Sequence, residues 1–334
     1  MMFALLCLSC SKEPVNNSPW EVISDTDIQF GISDTAPKQS KVTPDGFESA
    51  DKINVYGYLV PDNSNVPAYD MLYVGNATNP LSFTYSQVTT NSEVTSGGKV
   101  YESAYYWPKF EQCAYQSIHF YGYYALNTGS GSSITGPVTT ISTEAAPEFV
   151  YKTNIANNAA TEDFLVAQQT ATQNDVKMEF KHPLAKVEWK ITYTDFIGTN
   201  GIELNFPVIG KGNFTYAAGG TEDGKGWSTA NTTDSNIRLK WNGVVNSNST
   251  EELSLGTTYL IPQQLGKFSV IYNYHKEARD ISTNDDFNLE AGCSYTFTLK
   301  IQKDHVIVLK SEITDSQGNK KNNQWITITN NNTI

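Results

Sequence analysis

Basic residues are scarce in this chain of 334 residues. It has 23 lysines and arginines against 35 aspartates and glutamates, a formal net charge of −12, and its only arginines are Arg238 and Arg279. Binding to nucleic acid or to an anionic membrane face needs clustered Lys and Arg that neutralise phosphate. The composition therefore argues against nucleic acid as a partner.

Long apolar runs are also missing, since no stretch after residue 9 approaches the roughly 20 residues of a membrane-spanning helix.

Motifs that carry enzyme chemistry are missing as well. The four histidines sit singly, with no H-E-x-x-H pair, and the chain has no G-x-S-x-G, P-loop or dinucleotide-binding fingerprint. Asp223 and the pair Asp285 and Asp286 lie in polar loop sequences, where carboxylates are normally just solvated. His119 lies in a strand-like run and is typical of a surface or hydrogen-bonded side chain. We therefore expect no catalytic residue, no metal site, no cofactor and no enzyme activity.

Cysteine is rare: once the apolar opening is removed, only Cys10, Cys113 and Cys293 remain, and no C-x-x-C occurs among them. The spacing indicates neither a zinc ribbon nor a disulfide framework. Cys293 begins an alternation of apolar and polar residues that continues to Ile301, which places its thiol on the buried face of a strand. Cys113 and Cys293 are therefore expected to be structural, either as two buried thiols or as a bridged pair.

The chain opens MMFALLCLSCSKEP, an apolar run that meets Ser9 and Cys10 and then turns polar. This pattern is typical of a lipoprotein signal, in which cleavage before a cysteine leaves a lipidated residue as the membrane anchor. We interpret residues 1–9 as a truncated or partial signal peptide and Cys10 as the lipidation site. The run is short and has no basic residue before it, so an upstream start codon and a frayed terminus or expression remnant stay open as alternatives.

Strand-like runs rich in Tyr, Thr, Val, Ile and Phe occur along most of the chain, and almost no segment has a helical period. In 185–194, Val187, Trp189 and Ile191 share one face while Glu188 and Lys190 share the other, which is typical of a half-buried antiparallel strand. Many short strands at this spacing predict β-sandwiches. The expected fold is all-β with little helix, as two antiparallel β-sandwich domains of transthyretin-like or Greek-key type.

A polar stretch at 168–175 lacks periodicity and separates a tyrosine-rich first half from a second half with cleaner alternation. We therefore expect a domain boundary near residue 174. The predicted N-terminal sandwich spans residues 10–174, and the predicted C-terminal sandwich spans residues 175–334.

The order of the non-catalytic segments resembles the fimbrillin family of Bacteroidetes, which are lipoprotein pilins of the type V class. The matching pieces, in chain order, are CSKE (10–13), DIQFGI (27–32), GFESADKINVYGYL (46–59), YYWP (105–108), SIHFYGYYAL (117–126), DFLVA (163–167), MEFKHPLAKVEWKI (178–191), TTYLIPQQL (257–265) and LEAGCSYTFTLKI (289–301). They span nearly the whole chain after Cys10. The resemblance implies a fimbrial subunit at the cell outer membrane and surface, whose partners are other pilin subunits and a surface glycan or protein receptor.

The resemblance also implies a role for the first strand, in which Ile28, Phe30 and Ile32 alternate with polar residues. In the family, a protease removes an N-terminal strand and the exposed groove accepts a donor strand from another subunit, which is a form of β-augmentation. The candidate donor is the C-terminal segment 324–334, with Trp325 and Thr327 facing one way and Ile326 and Ile328 the other.

The candidate processing sites depart from the family pattern. Well-studied fimbrillins are cut after arginine, whereas Lys38 and Lys41 are the only basic residues between the first strand and the GFESAD segment. Either the protease accepts lysine or the strand stays in place. The second case would favour a capping (tip) or anchoring subunit, or a stand-alone lipoprotein, over a polymerising shaft pilin.

A surface-anchored glycan-binding lipoprotein is the alternative from another class. Exposed aromatic rings on an exported sandwich stack on sugars, and one group of rings could form such a platform: Tyr56, Tyr58, Tyr105, Tyr106, Trp107, Tyr121, Tyr123 and Tyr124. Aromatic residues at strand spacing are more often core or cross-strand pairs, so we expect these rings to be buried. A surface hydrolase would require a deep pocket with convergent carboxylates.

Overall fold

Short runs of β-branched and aromatic residues form strands throughout the described part of the chain. The structure is a computed structural model, and it describes residues 18–33, 47, 51–76, 79–85, 88–90, 93–95, 100–125, 134–135, 145–153, 163–173, 176–193, 199–216, 226–228, 235–245, 249–265, 268–272, 277–283, 287–301, 306–314, 320–321 and 328–329.

The first twelve strands are β1 (Ile23–Ser33), β2 (Lys52–Pro61), β3 (Leu72–Val74), β4 (Leu81–Thr84), β5 (Val88–Thr90), β6 (Glu93–Thr95), β7 (Val100–Pro108), β8 (Tyr115–Ala125), β9 (Ile134–Thr135), β10 (Glu148–Lys152), β11 (Phe164–Ala171) and β12 (Val176–Glu179). A single 3-10 turn at Phe110–Gln112 links β7 to β8.

The remaining strands are β13 (Ala185–Tyr193), β14 (Thr199–Val208), β15 (Lys211–Thr215), β16 (Trp227–Ser228), β17 (Ser235–Val245), β18 (Ser249–Leu260), β19 (Gln263–Leu265), β20 (Phe268–Tyr272), β21 (Glu277–Thr283), β22 (Phe287–Leu289), β23 (Ser294–Ile301), β24 (Val306–Thr314), β25 (Lys320–Lys321) and β26 (Ile328–Thr329). The predicted all-β fold with little helix is confirmed, and most strand pairs are antiparallel. The parallel pairs β1–β12 and β13–β23 are departures from that pattern.

Three sheets in the first part of the fold lie in layers. The outer sheet has the order β12-β1-β7, the middle sheet β11-β8-β2-β3 with β4 also paired to β2, and the far sheet β16-β15-β10-β9. The outer and middle sheets enclose a first core that includes Phe30, Phe47, Phe120 and Met178. The middle sheet is therefore covered on that face, as in a β-sandwich.

The opposite face of the middle sheet is covered too. It packs against the far sheet through a tyrosine-rich core, whose buried members are Tyr56, Tyr58, Tyr121, Tyr123, Phe149, Tyr151, Phe164, Val166, Leu184, Phe214, Tyr216, Tyr259 and Ile261. Burial on both faces explains why β2 is buried along almost its whole length rather than at alternate residues.

Two five-stranded sheets have the orders β18-β13-β23-β24-β25 and β17-β14-β20-β21-β26, and the two-stranded sheets β19-β22 and β5-β6 complete the described fold. On β13, the side chains of Val187, Trp189 and Ile191 are buried, and Glu188 and Lys190 are partly exposed. This is the alternation that the sequence predicts. The Trp189 ring stacks on Phe297 of β23 at a centroid distance of 4.8 Å.

Strand pairing crosses the predicted domain boundary near residue 174. Strand β12, which lies just beyond that position, pairs with β1, and its Val176 and Met178 side chains are part of the first core. Strand β15 pairs with β10, so a segment from the predicted C-terminal domain completes the far sheet. The boundary itself stays a prediction, but β12 and β15 both contact the first half of the chain.

Candidate functional site

Strand β1 lies in the middle of the outer sheet. It pairs antiparallel with β7, from Ile23 opposite Pro108 to Gly31 opposite Val100, and parallel with β12, from Phe30 opposite Val176 to Ser33 opposite Glu179. Among the described strands, β1 is the only one in this sheet that pairs with β12. Its removal would therefore leave unpaired backbone groups on both neighbours.

The two faces of β1 differ in burial. Ile28, Phe30 and Ile32 are buried in the first core, whereas Asp27 and Gln29 are partly exposed. The Gln29 amide donates a hydrogen bond to the Asp27 carboxylate at 3.1 Å on that outer face. The structure thus has the alternation that the sequence predicts, while exchange of the strand stays a prediction.

Phe30 is the largest apolar side chain that β1 contributes to the core, and none of its surface is exposed. Its ring lies 5.0 Å from the Phe83 ring and 5.3 Å from the Phe120 ring, the latter in an edge-to-face arrangement. The Ser103 hydroxyl donates a 2.7 Å hydrogen bond to the Ile28 carbonyl oxygen. Side-chain packing and a side-chain hydrogen bond thus add to the backbone ladders that hold β1.

An aromatic corner surrounds the N-terminal end of β1. Trp20 and Tyr106 are exposed by 50% and 43%, and Ile23 is also exposed. The Trp20 ring lies 5.9 Å from the ring of Tyr73, which is buried and donates a 2.8 Å hydrogen bond to the Tyr106 carbonyl oxygen. Three of the four large apolar side chains that are exposed in the described residues therefore lie at one end of the outer sheet.

The C-terminal candidate donor is described only in part. Ile328 belongs to β26, a two-residue strand that pairs antiparallel with β21 at the edge of its sheet. Trp325, Ile326 and Thr327 lie outside the described residues, as do Cys10, Lys38 and Lys41. Their predicted roles as donor residues, lipidation site and processing sites stay predictions.

Most rings of the proposed sugar-binding platform are buried. Tyr56, Tyr58, Trp107, Tyr121, Tyr123 and Tyr124 belong to the two cores. Tyr105 is partly buried, and Tyr106 alone of the eight is exposed. The expectation that these aromatic residues are core residues is confirmed for six of the eight and is wrong for Tyr106, and the eight rings do not form an exposed stacking platform.

A buried histidine and aspartate form a pair that the sequence did not reveal. His182 Nδ1 lies 2.6 Å from Asp163 Oδ2, and Asp163 Oδ1 accepts a 2.9 Å hydrogen bond from the Phe164 N–H. The pair joins the start of β11 to the segment between β12 and β13. Asp163 lies in the DFLVA segment and His182 in the KHP segment, and only the fold brings these two side chains together.

His119 lies against the ring of Tyr121 at a centroid distance of 4.6 Å, with Nδ1 2.6 Å from the Thr170 hydroxyl. Burial lowers the pKa of His119, partly offset by a hydrogen bond to Gln168. This histidine is hydrogen-bonded, as the sequence analysis expects. In the described ranges, no three His, Cys, Asp or Glu side chains lie close enough together to hold a metal ion.

Cys113 and Cys293 are both buried, reduced thiols. The alternative of a bridged pair is therefore wrong, and the two residues behave as small core side chains. Burial raises the pKa of the Cys113 thiol, and the nearby Asp62 and Glu111 carboxylates raise it further. Within the described part of the chain, no helix is both long enough and apolar enough to span a membrane.

The amino-acid sequence matches the model of one protein family. The family model described as fimbrillin-like matches residues 40–315. No curated protein sequence matches the chain significantly.

Several solved structures are similar to the chain at low sequence identity. A proposed cell adhesion protein from Bacteroides uniformis is 14% identical, with a TM-score of 0.51, over 88% of this chain and 99% of its own. Another from Bacteroides ovatus is 14% identical, with a TM-score of 0.49, over 92% of this chain and 99% of its own. The tip fimbrial protein Mfa3 from Porphyromonas gingivalis, with a C-terminal truncation, is 8% identical, with a TM-score of 0.42, over 86% of this chain and 98% of its own.

Proposed function

The chain belongs to the fimbrillin-like family, and on that premise we propose that it is a structural or adhesive subunit of a cell-surface fimbria. In this proposal it is exported as a lipoprotein, and a protease then removes β1. Subunits assemble when a donor strand from a neighbour takes the place of β1. The partners are other pilin subunits, and the localisation is the cell outer membrane and the fimbria.

The observation that supports this proposal is the position of β1. It is the first strand of the described chain, yet it lies between two other strands and contributes three side chains to the core. The sequence that follows it, residues 34–46, is polar and contains two prolines and the two candidate processing lysines. Unstructured polar backbone is the usual site of proteolytic nicking. One cut in this segment would detach β1 from the rest of the chain.

Loss of β1 would create a binding site for a strand. The Phe30 pocket, bounded by Phe83 and Phe120, would be open to water, and β7 and β12 would each have an unpaired edge. Unpaired edges next to apolar pockets are templates for pairing with another chain. An incoming strand would supply backbone hydrogen bonds for affinity and alternate side chains for register.

The C-terminal segment is suited to donate that strand. Its alternation of Trp325 and Thr327 with Ile326 and Ile328 gives two distinct faces. In the described structure, Ile328 and Thr329 pair with β21, and the segment would give up this pairing when it leaves its own sheet.

Attachment through Cys10 is tested by Cys10→Ala. A thioether-linked diacylglycerol and an amide-linked acyl chain together supply the two or more chains that stable anchoring needs. We expect the variant to be released from membranes and to take up no labelled fatty acid. Continued labelling and membrane partitioning would contradict the lipoprotein part of the proposal.

Limited digestion with a lysine-directed protease tests the exchange. Cutting after Lys38 or Lys41 should remove β1 and yield ladders of oligomers on sizing and native gels. The double variant Lys38→Gln/Lys41→Gln is the matched control and should stay uncut and monomeric. Deletion of residues 324–334 should allow cutting but abolish the ladders. A wild-type chain that loses β1 and stays a stable monomer would contradict assembly by strand exchange.

A subunit that keeps β1 and serves as an anchor or tip is the second candidate. The observation in its favour is that no arginine precedes Arg238, although the well-studied family members are cut after arginine. The N-terminus of the protein recovered from its native cell separates the two candidates. A mature N-terminus near Val42 indicates a processed pilin, and an N-terminus at lipidated Cys10 indicates a precursor or an anchor.

A further inference from the structure

Strand β12 is the short wall of the slot in which β1 lies, and β7 is the long wall. Its four residues align with residues 30–33 of β1, and among the described strands β1 is its only ladder partner. Short strands without a partner do not keep their position in water. When β1 leaves, β12 therefore needs another support to remain a wall of the slot.

Apolar packing supplies part of that support. Val176, Met178 and Phe180 are fully buried in the first core. The methyl group of Met178 lies over Gly122 of β8, where a Cβ would clash with it. This packing keeps β12 on the middle sheet, but hydrophobic burial is not directional. It does not by itself fix the position of β12 along its own axis.

The residues directly after β12 are tied to β11 by hydrogen bonds. The Val166 N–H donates to the Lys181 carbonyl oxygen at 3.0 Å, and the Lys181 N–H donates to the Val166 carbonyl oxygen at 2.9 Å. At the next residue, His182 Nδ1 lies 2.6 Å from Asp163 Oδ2. Asp163 Oδ1 accepts a 2.9 Å hydrogen bond from the Phe164 N–H, so both carboxylate oxygens are used. Because hydrogen bonds are directional, these contacts fix the end of β12.

A single hydrogen bond holds the His182 ring. The side chains of His182 and Asp163 are 8% and 2% exposed, and in the described part of the chain His182 Nε2 has no hydrogen-bond partner. A carboxylate can only accept, so Nδ1 is the donor, and such charge-assisted bonds are among the strong ones. The next residue is Pro183, whose carbonyl oxygen accepts a 2.7 Å hydrogen bond from Trp227 Nε1. Strand β1 takes part in none of these contacts, so they persist when it leaves.

Resting on the strand exchange proposed above, we propose that His182 is a positioning residue for that exchange. Its hydrogen bond to Asp163 keeps β12 in place as the parallel wall of the slot, and so determines how long a strand stays bound there. A strand that meets two fixed walls loses conformational freedom only in its own chain. Without the bond, β12 must become ordered together with the strand, which weakens the hold on that strand.

Hydrogen exchange in the uncut chain measures the hold on β12 without any cleavage. The test variant is His182→Leu, which removes the donor. The rescue variant is His182→Asn, whose side-chain amide can still donate to Asp163. Asp163→Asn is a milder variant that keeps the size of the side chain and removes its charge. The matched control is His119→Leu, which removes a histidine whose Nδ1 lies 2.6 Å from the Thr170 hydroxyl near the other end of β11.

We expect His182→Leu to speed exchange of the backbone amides of Val176–Glu179 and of residues 30–33 by about tenfold or more. Asp163→Asn should speed their exchange by a smaller factor. His182→Asn and His119→Leu should stay within about threefold of wild type. A residue that only stabilised the fold as a whole would change the most protected amides of the middle sheet and would leave the local exchange of β12 unchanged.

Replacement of β1 in the cut chain tests the role in strand exchange. The chain is cut with the lysine-directed protease, and a synthetic peptide of residues 18–33 with a fluorescent label is added in excess. Uptake of the label reports how fast the resident β1 leaves the slot. We expect His182→Leu to take up the peptide about tenfold faster than wild type, because weaker binding of one strand is expressed mainly in its dissociation rate. His182→Asn should restore the slow replacement.

Two results would overturn the positioning role of His182. One is exchange of the β12 amides within about twofold of wild type in both His182→Leu and Asp163→Asn. The other is a His182→Asn chain that exchanges as fast as His182→Leu, because the hydrogen bond would then not be the cause. A wild-type cut chain that never takes up the peptide would instead refute strand exchange. The uncut chain would still show whether His182 holds β12, so the two failures are distinguishable.

Discussion

Truncation of Phe30 to alanine tests whether β1 is an integral part of the first core. The ring is fully buried between Phe83 and Phe120. Phe→Ala substitutions at such sites cost about 3–5 kcal/mol, because transfer free energy is lost and a cavity remains. With an m-value of about 3 kcal/mol/M, the midpoint of urea unfolding should fall by about 1–1.7 M. Tryptophan fluorescence would follow the transition.

The neighbouring Gly31 supplies the matched control. It faces outward, and a Cβ added there would have no heavy atom within 4 Å. Gly31→Ala should therefore change the free energy of unfolding by less than about 0.5 kcal/mol. If Phe30→Ala and Gly31→Ala unfold at the same urea concentration, β1 does not stabilise the core and the argument for a strand-binding slot fails.

A double-mutant cycle refines the measurement. The edge-to-face contact between Phe30 and Phe120 should couple the two positions by about 0.5–1.5 kcal/mol beyond simple burial. Additive effects of Phe30→Ala and Phe120→Ala would show that the rings do not interact directly.

Three further substitutions probe other parts of the fold. Gly226→Ala should cost about 1–3 kcal/mol in urea unfolding, since Gly226 has a φ of 99° and an added Cβ would clash with the Thr215 carbonyl oxygen. His182→Ala should cost about 3–5 kcal/mol, because it removes the side-chain partner of the buried Asp163 carboxylate, whereas exposed ion pairs cost less than about 1 kcal/mol. Burial raises the pKa of the Tyr56 hydroxyl from 10.0 to about 12. The contribution of the neutral Tyr56 to the free energy of unfolding is therefore complete below pH 10 and is lost as the pH rises toward 12. Tyr56→Phe should make the free energy of unfolding less dependent on pH in that range.

Local alternation made part of this fold predictable. Ile28, Phe30 and Ile32 on β1, and Val187 and Trp189 on β13, are buried as their period of two predicts. In both strands one face packs on a core and the other is partly exposed, so the sequence pattern and the environment agree.

Positions that depend on distant segments were not predictable in this way. Tyr56 and Tyr121 point to the face of the middle sheet that would be exposed in a two-layer sandwich, and β10 and β15 cover that face. The period of two in a strand shows which residues share a face, but it does not show that a third sheet covers the second face. The His182–Asp163 pair likewise forms only because β12 and the residues after it return along β11, where Lys181 and Val166 exchange backbone hydrogen bonds.

The parallel pairing of β1 with β12 has a consequence for the order of folding. Phe30 aligns with Val176, so the first strand of the described chain must wait until more than half of the sequence is available before its sheet is complete. Closing so long a loop costs entropy, and contacts between distant residues form slowly. Strand β1 is therefore expected to dock late, onto a middle sheet that has already formed. Pulse-labelled hydrogen exchange during refolding should show its amides protected after those of β2 and β8.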